Sequence, residues 1–383
     1  MIFDKIKANI AHGILLFSNA VIYIITSVLF TSKEQNILRI CIYKVGNIGD
    51  LICIIPTLYA IKNYYPDAQI VLLSSPGSLN SIGAADVLCG VSCINKIMLY
   101  YHNDINSLSK INCFKKKVKA ENFDKLFYLS NESGDIKRVL RDAVFFRFCG
   151  IRNATGFRIN TVRIFPQAQT KFCHFPNEVE RNLSNLPFKC KNIPQFEIHI
   201  TKRDKCFVNH VLKESGINSN DKIMAISFAG KGEAQCWANE NFSEIVRRWG
   251  NISDHHKVIL IGGLGEVENG NQIMQDSMSL HVLNFCGKFS IQQSFYFMTK
   301  ILFLLSIDTG TAHMAAAMNT KCIELCTAYD FPNKWVAYGM NTLAIRKNLS
   351  CSPCLKKKCK YGYPAKCMQA ITINEVWQAI RQI

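Results

Sequence analysis

Two carboxylates in this chain stand where chemistry is easily done, each between an apolar run and a glycine turn. Asp50 lies in "YKVGNIGDLICIIP" (43–56), directly after the run "NILRICIY". A strand end that leads into a helix start offers free backbone N–H groups that attract phosphate, and an acid there repels it. Asp50 is therefore either a helix cap or a group that faces something other than phosphate. The second possibility makes it a general base that takes a proton from a substrate hydroxyl. Asp308 lies in "SIDTGTAHMAAA" (306–317). Thr309, Gly310 and Thr311 make a tight turn, and a helix of small residues starts at once. Small side chains let a ligand approach that helix N-terminus, whose free N–H groups suit a diphosphate. His313, on the first turn, would reach the same anion. The plainer alternative is an Asp-capped helix with a surface histidine.

Two further groups carry possible chemistry. Lys137, Arg138, Arg141, Arg147, Arg152, Arg158 and Arg163 fall close together, interleaved with Phe145, Phe146, Phe148 and Phe157. A solvated helix face explains such runs. An acceptor that carries phosphates or acidic sugars, half in a membrane, would also want Arg forks beside apolar contacts. "CSPCLKKKCKYGYPAKC" sets Cys351, Cys354, Cys359 and Cys367 at spacings that suit a structural zinc site or a knot of thiols, and neither implies catalysis. A nicotinamide dehydrogenase is weakened twice: "GNIGD" is not Gly-x-Gly-x-x-Gly, and the second strand "VLLSSPG" ends without the acid that would hold a ribose.

The elements that must position these groups alternate. "NILRICIY" reads as a buried strand. The following segment to Pro66 reads as an amphipathic helix that Pro56 must kink or start late, and "AQIVLLSS" (68–75) as the next strand. That is a βαβ unit, so a parallel sheet begins here. Further strands are expected at 124–130, 223–230, 257–263, 301–306 and 321–326, with helices from Val267 to about Met278 and after the "IDTG" turn. Residues 167–221, with Pro176, Pro187 and Pro194 and weak periodicity, are expected to hold the connection between domains. The economical architecture is two α/β halves facing a cleft, with ligands beyond the carboxyl ends of the strands. The expected division is 1–34 for an apolar N-terminal helix, 35–200 for the first domain and 201–383 for the second.

The bulk composition agrees with a globular chain of two domains. Of 383 residues, 49% are hydrophobic, and 45 Lys+Arg against 28 Asp+Glu leave a net charge of +17, which favours an anionic partner. No nucleic-acid recognition module accompanies that charge. The 17 cysteines are scattered through apolar runs, as in a reducing cytoplasm. From Ala8 to Ser32 there is no charged side chain. This stretch reads as an interfacial anchor helix, a span, or a helix packed on its own domain.

"ILRICIYKVGNIGDLICIIPTLYAIKNYYPDAQI" resembles the opening of the heptosyltransferase family of glycosyltransferases, family nine. "LLSIDTGTAHMAAAMNTKCIELC" resembles that family's second signature, an Asp-Thr-Gly turn with His three residues after the Gly. The likeness spans about residues 37–380, with "RVLRDAVFFRFCGIRNATGF" and the closing cysteine pattern also fitting. The resemblance implies a GT-B fold of two Rossmann-like domains and inverting transfer of a sugar, usually heptose, from an ADP-linked or other nucleoside-diphosphate donor to a lipopolysaccharide core or related glycan, with no required metal. It makes Asp50 the catalytic base, with Asn47, Gly49, Arg138 and Arg141 on the acceptor side. Asp308, Thr309, Gly310, Thr311 and His313 would hold the donor, and Glu266 stands near where the family places an acid by the donor's base or ribose. The family usually has a Lys two residues before a Trp. Here Gln235 precedes Trp237, so Lys231 would supply that charge from another position, or activity is weak or the donor altered. The partners implied are a nucleotide sugar, an anionic glycolipid or oligosaccharide and a membrane surface at the cytoplasmic face of the inner membrane. The rivals are an inactive sugar-nucleotide binder on this fold and a basic zinc-containing nucleic-acid binder.

Overall fold

The computed structural model describes residues 2–31, 37–79, 81–129, 135–230, 232–356 and 358–383. The chain divides into two compact units, 1–198 and 199–383. Strands β1 (Arg39–Tyr43), β2 (Gln69–Gly77), β3 (Lys96–Tyr101), β4 (Lys125–Tyr128) and β5 (Ala154–Thr155) form the sheet of the first unit, in the order β3-β2-β1-β4-β5. Strands β6 (Lys222–Ser227), β7 (His256–Leu260), β8 (Val282–Asn284), β9 (Phe303–Ile307), β10 (Lys321–Cys326) and β11 (Thr342–Arg346) form the second, in the order β11-β10-β9-β6-β7-β8. Every described pairing is parallel. Both sheets are Rossmann-like, each with a point where the strand order reverses, between β1 and β4 in one and between β6 and β9 in the other. Ligands of such sheets sit beyond the strand ends at that reversal.

The sequence explains the central strands. "RICIY" and "FLLSI" are buried almost throughout because helices cover both faces of the sheet, so they read as unbroken apolar runs. Pro56 resolves as a late start. A short helix, Ile48–Ile52, ends before a second one, Ile55–Tyr64, in which Pro56 occupies the first turn, where its missing N–H costs nothing. The segment expected to connect the domains contains the boundary between the units, at 198/199, and also holds helices Pro166–Phe172 and Glu178–Ser184, both within the first unit.

The N-terminal helix, Ile2–Leu29, is long and apolar enough to cross a membrane, but it is also docked on the first unit. Asn19 Nδ2 donates to the Ile159 carbonyl and Asn19 Oδ1 accepts from the Ile159 N–H, both at 2.9 Å. Just past the helix, Phe30 stacks on Phe157 at 5.4 Å between centroids. The file of rings continues to Tyr128 at 4.5 Å and to Tyr43 of β1 at 5.4 Å.

Candidate functional site

In the first unit, β1 delivers a buried cation to the sheet's reversal point. Lys44 is fully buried, with Nζ 3.8 Å from Asp50 Oδ1 and 3.5 Å from Glu178 Oε1. Glu178, also fully buried, accepts from Arg181 Nε at 2.7 Å, and Asn182 Nδ2 donates to its backbone carbonyl. Asp50, Lys44, Glu178 and Arg181 thus alternate in sign, which is how buried charges are tolerated. Asp50 is the outermost member, its side chain 14% exposed, so a solute can reach it. Its Oδ2 accepts the Asn47 N–H at 2.9 Å, closing the first turn of helix Ile48–Ile52. Cap and reactive acid are therefore not alternatives, because the capping bond fixes one oxygen and so aims the carboxylate. Burial, ahead of the charges of Glu178 and Asp50, holds the Cys53 thiol well above its usual range, which leaves it inert.

Gly46 makes this geometry possible. A Cβ there would stand 2.4 Å from Asp50 Cβ, and Asp50 is held at its backbone. Gly46→Ala is expected to shift the helix start, lower stability by about 1–3 kcal/mol and cut turnover at least roughly tenfold. Calorimetry and initial rates check this, and an unchanged melting temperature would show that the turn has slack.

Asn47 and Gly49 lie in the same turn as Asp50. Arg138 and Arg141 lie on helix Ile136–Phe148, which follows β4, the strand beside β1 at the reversal. Arg138 is half-buried near the helix N-terminus. Arg141 donates through Nε and a terminal nitrogen to Asp142 Oδ1 at 3.0 and 2.7 Å, and Asp142 Oδ2 accepts from the Tyr128 hydroxyl at 2.8 Å. The Arg141 side chain remains 71% exposed. These groups share one edge of one sheet with Asp50.

In the second unit, β9 and β6 flank the reversal and their following loops are stitched together. Ser227 Oγ, at the end of β6, lies 3.2 Å from Thr311 Oγ1, on the helix Gly310–Ala317 that follows β9. Gln235 Nε2 donates to the Asp308 carbonyl at 2.9 Å, while its Oε1 accepts the Gly232 N–H at 3.2 Å. Gln235 is thus a neutral strut across the reversal point. Thr309 is the N-cap residue of the helix, and its hydroxyl lies 3.3 Å from Ser306 Oγ. His313 is buried rather than on the surface, since the small-residue helix is packed on its sheet and takes His313 with it. Glu266 stands half-buried after β7, close enough to Gly262 that a Cβ there would come within 3.0 Å of its own Cβ. Lys231 lies outside the described residues.

Asp308 keeps part of its surface open but is crowded by protein on most sides. That burial, ahead of the neighbouring Asp330 charge, pushes its carboxyl up to about 6. Burial, ahead of the Asp308 charge, also raises Glu324 of β10 well above the usual carboxylate range. Asp330 accepts from Trp335 Nε1 at 3.1 Å and faces Lys334 Nζ at 3.3 Å, while Arg346 donates to the carbonyls of Thr327 and Asp330. Lys44, Glu178, Arg181, Glu324, Asp330 and Arg346 were not singled out from sequence. Signals existed for two of them: "NEVE" carries an Asn-x-x-Glu capping pattern ahead of Arg181, and Glu324 interrupts the apolar run "KCIELC".

The zinc expectation needs correction. Among the described residues no group of three or more His, Cys, Asp or Glu side chains is placed to hold a metal ion. Cys351, Cys354, Cys359 and Cys367 line one small cavity of about 20 Å³ together with Thr327 and Ala328, and Cys367 Sγ lies 3.6 Å from Thr327 Oγ1. Spacing brought the thiols to one place but did not aim them at one point, as metal ligation requires.

Comparison with known proteins bears on the family and the fold. The chain is 20% identical over 320 residues to the lipopolysaccharide core heptosyltransferase OpsX of Haemophilus influenzae, covering 81% of this chain and 84% of that one. Its fold resembles a glycosyl transferase family 9 protein from Veillonella parvula, with TM-score 0.70 and 15% identity over 92% of this chain and 98% of that one. It also resembles E. coli heptosyltransferase WaaC with ADP, with TM-score 0.61 and 16% identity over 90% and 99% of the two chains. The model of glycosyltransferase family 9 (heptosyltransferase) matches residues 111–364, which include the Asp308 turn, and to that family the chain belongs.

Proposed function

We propose that this chain is an inverting glycosyltransferase that moves a heptose from an ADP-linked donor to a lipopolysaccharide-core or related surface-glycan acceptor, without a required metal. The observation that carries the reading is the pair of carboxylate turns, Asp50 and Asp308, each at the reversal point of its own Rossmann-like sheet in a chain of family 9. The likeness to OpsX and to WaaC with ADP supports the donor and acceptor classes.

In this reading Asp50 takes the proton of the acceptor hydroxyl. The freed oxygen attacks the anomeric carbon from the face opposite the diphosphate, and the bond to the diphosphate oxygen breaks with its electron pair leaving on that oxygen. One displacement inverts the centre. Free N–H groups at the start of helix Gly310–Ala317 stabilise the departing charge, with Thr309, Thr311 and His313 shaping that end and Lys231 supplying a cation. Glu266 contacts the nucleoside. Arg138 and Arg141 hold anionic groups of the acceptor. The reaction is placed at the cytoplasmic face of the inner membrane.

Thermal shift with ADP-, GDP- and UDP-linked sugars tests the donor. ADP-heptose at about 100 times its dissociation constant is expected to stabilise the protein by about 2.7 kcal/mol, and the others much less. Selective stabilisation by a GDP- or UDP-sugar would reassign the donor. A second reading, a sugar-nucleotide binder without turnover, is favoured by one observation: Gln235 is a neutral strut where the family usually has a lysine. Transfer to a heptose-deficient core acceptor, lost in Asp50→Ala, excludes that reading.

A further inference from the structure

Helix Ile2–Leu29 has two apolar faces, and the protein covers one of them. Ala8, Ala11, Leu15, Asn19, Ile22 and Leu29 point toward the first unit, as their burial or contacts show. Phe3, Ile6, Ile10, Ile14, Phe17 and Val28 form an exposed outward row, which Ile24 joins and which exposed Ile2, Leu16 and Tyr23 widen on one side. At 3.6 residues per turn, the docked set and the outward row before that widening each fall within about 80° of arc, and the two arcs are centred roughly 140° apart. The outward row is no fringe of the docked one: Phe3, Phe17 and Val28 are 79%, 72% and 83% exposed. A helix apolar on both sides has a second apolar neighbour to find.

The docking decides how the helix meets that neighbour. It is tied to the first unit near both ends and in the middle. Lys171 donates to Asp4 at the start, Asn19 bonds both backbone groups of Ile159, and the Thr31 N–H donates to the Arg152 carbonyl at 2.7 Å just beyond the end. If the helix crossed a bilayer, the Ile159 backbone, bonded at the middle of the helix, would have to follow it into hydrocarbon, where irregular backbone facing lipid is not tolerated. Charge points to the same surface. Exposed Lys5 and Lys7 lie on the helix, and exposed Arg147, Arg152, Arg163 and Lys171 lie on the segments near it, in a chain of net charge +17.

We propose that this helix lies in the plane of an anionic bilayer surface, with its outward row sunk to the boundary of headgroups and acyl chains and the first unit riding above it. This deepens the membrane placement proposed above. Its test uses neither donor nor acceptor, so its failure and failure of the transferase reading are separable.

The full chain is floated with phosphatidylcholine vesicles that do or do not contain about 30 mol% phosphatidylglycerol, a charge content relevant to basic patches. Binding at least tenfold tighter to the anionic vesicles is expected, weakened at least tenfold by Phe17→Asp, whose melting temperature should match the parent's because the site is exposed. Depth is then read with Phe3→Trp, Phe17→Trp and Val28→Trp and lipids brominated at different depths, after subtracting the parent's own tryptophan signal. The in-plane helix predicts similar, shallow quenching at all three positions. Deepest quenching at position 17 with shallow ends would mean a span and would overturn the proposal. So would equal binding to both vesicle types. Absence of binding together with a dimer that Phe17→Asp dissolves would give the face to a second copy and also overturn it.

Discussion

Asp50→Asn is expected to lower the rate of sugar transfer by about 10²–10⁴-fold while donor binding stays within about twofold of the parent. The amide keeps the shape of the side chain and an oxygen able to accept the Asn47 N–H, so helix Ile48–Ile52 should start where it does now. What it loses is the capacity to take a proton. Single-turnover rates with saturating donor measure the first quantity, and thermal shift with the same donor measures the second. The sign pattern matters as much as the size. Weakened donor binding with normal turnover at saturation would place Asp50 among the donor contacts and remove it from proton transfer. Asp50→Ala differs usefully, because it also deletes the cap and should add a loss of about 1 kcal/mol in stability.

Lys44→Met should have the largest effect on stability. Lys44 is the buried cation between Asp50 and Glu178, and its removal takes one positive charge from beside both carboxylates. Breaking one member of a buried ion network costs about 3–5 kcal/mol. For a unit of this size that corresponds to a melting temperature lower by roughly 10 °C. Turnover should fall as well, since the carboxylate that Lys44 faces would lose that neighbouring positive charge. The double-mutant cycle of Lys44→Met with Glu178→Gln measures the coupling energy between the two side chains. A single variant that melts within a degree or two of the parent would mean that Lys44 is a spectator.

The reach of the sequence differs between the middle of each sheet and its margins. The runs that become β1, β6, β9 and β10 were readable because strands covered on both faces are apolar at consecutive positions. The margins were missed for the complementary reason. In β3 and β11 most residues are partly or fully exposed, β8 has three residues and β5 two, so none carries enough apolar signal to stand out. The Asp50 and Asp308 turns were visible because glycine and an acid after an apolar run make a local pattern. Their supports were not, because Lys44 meets Glu178 across more than a hundred residues of chain, and no spacing rule spans that distance. The proline-rich stretch read as a connector and does hold the boundary between the units, but its contribution of the fully buried Glu178 to the first unit was not legible.

The file of rings from Phe30 through Phe157 and Tyr128 to Tyr43 gives the N-terminal helix a meaning beyond attachment. Tyr43 is the residue before Lys44, so one row of packed rings links the end of the N-terminal helix to the loop that holds Asp50. A shortened chain lacking the first thirty residues would therefore lose more than a helix: Phe157 would be left without its stacking partner Phe30, opening an aromatic seam toward the loop that holds Asp50.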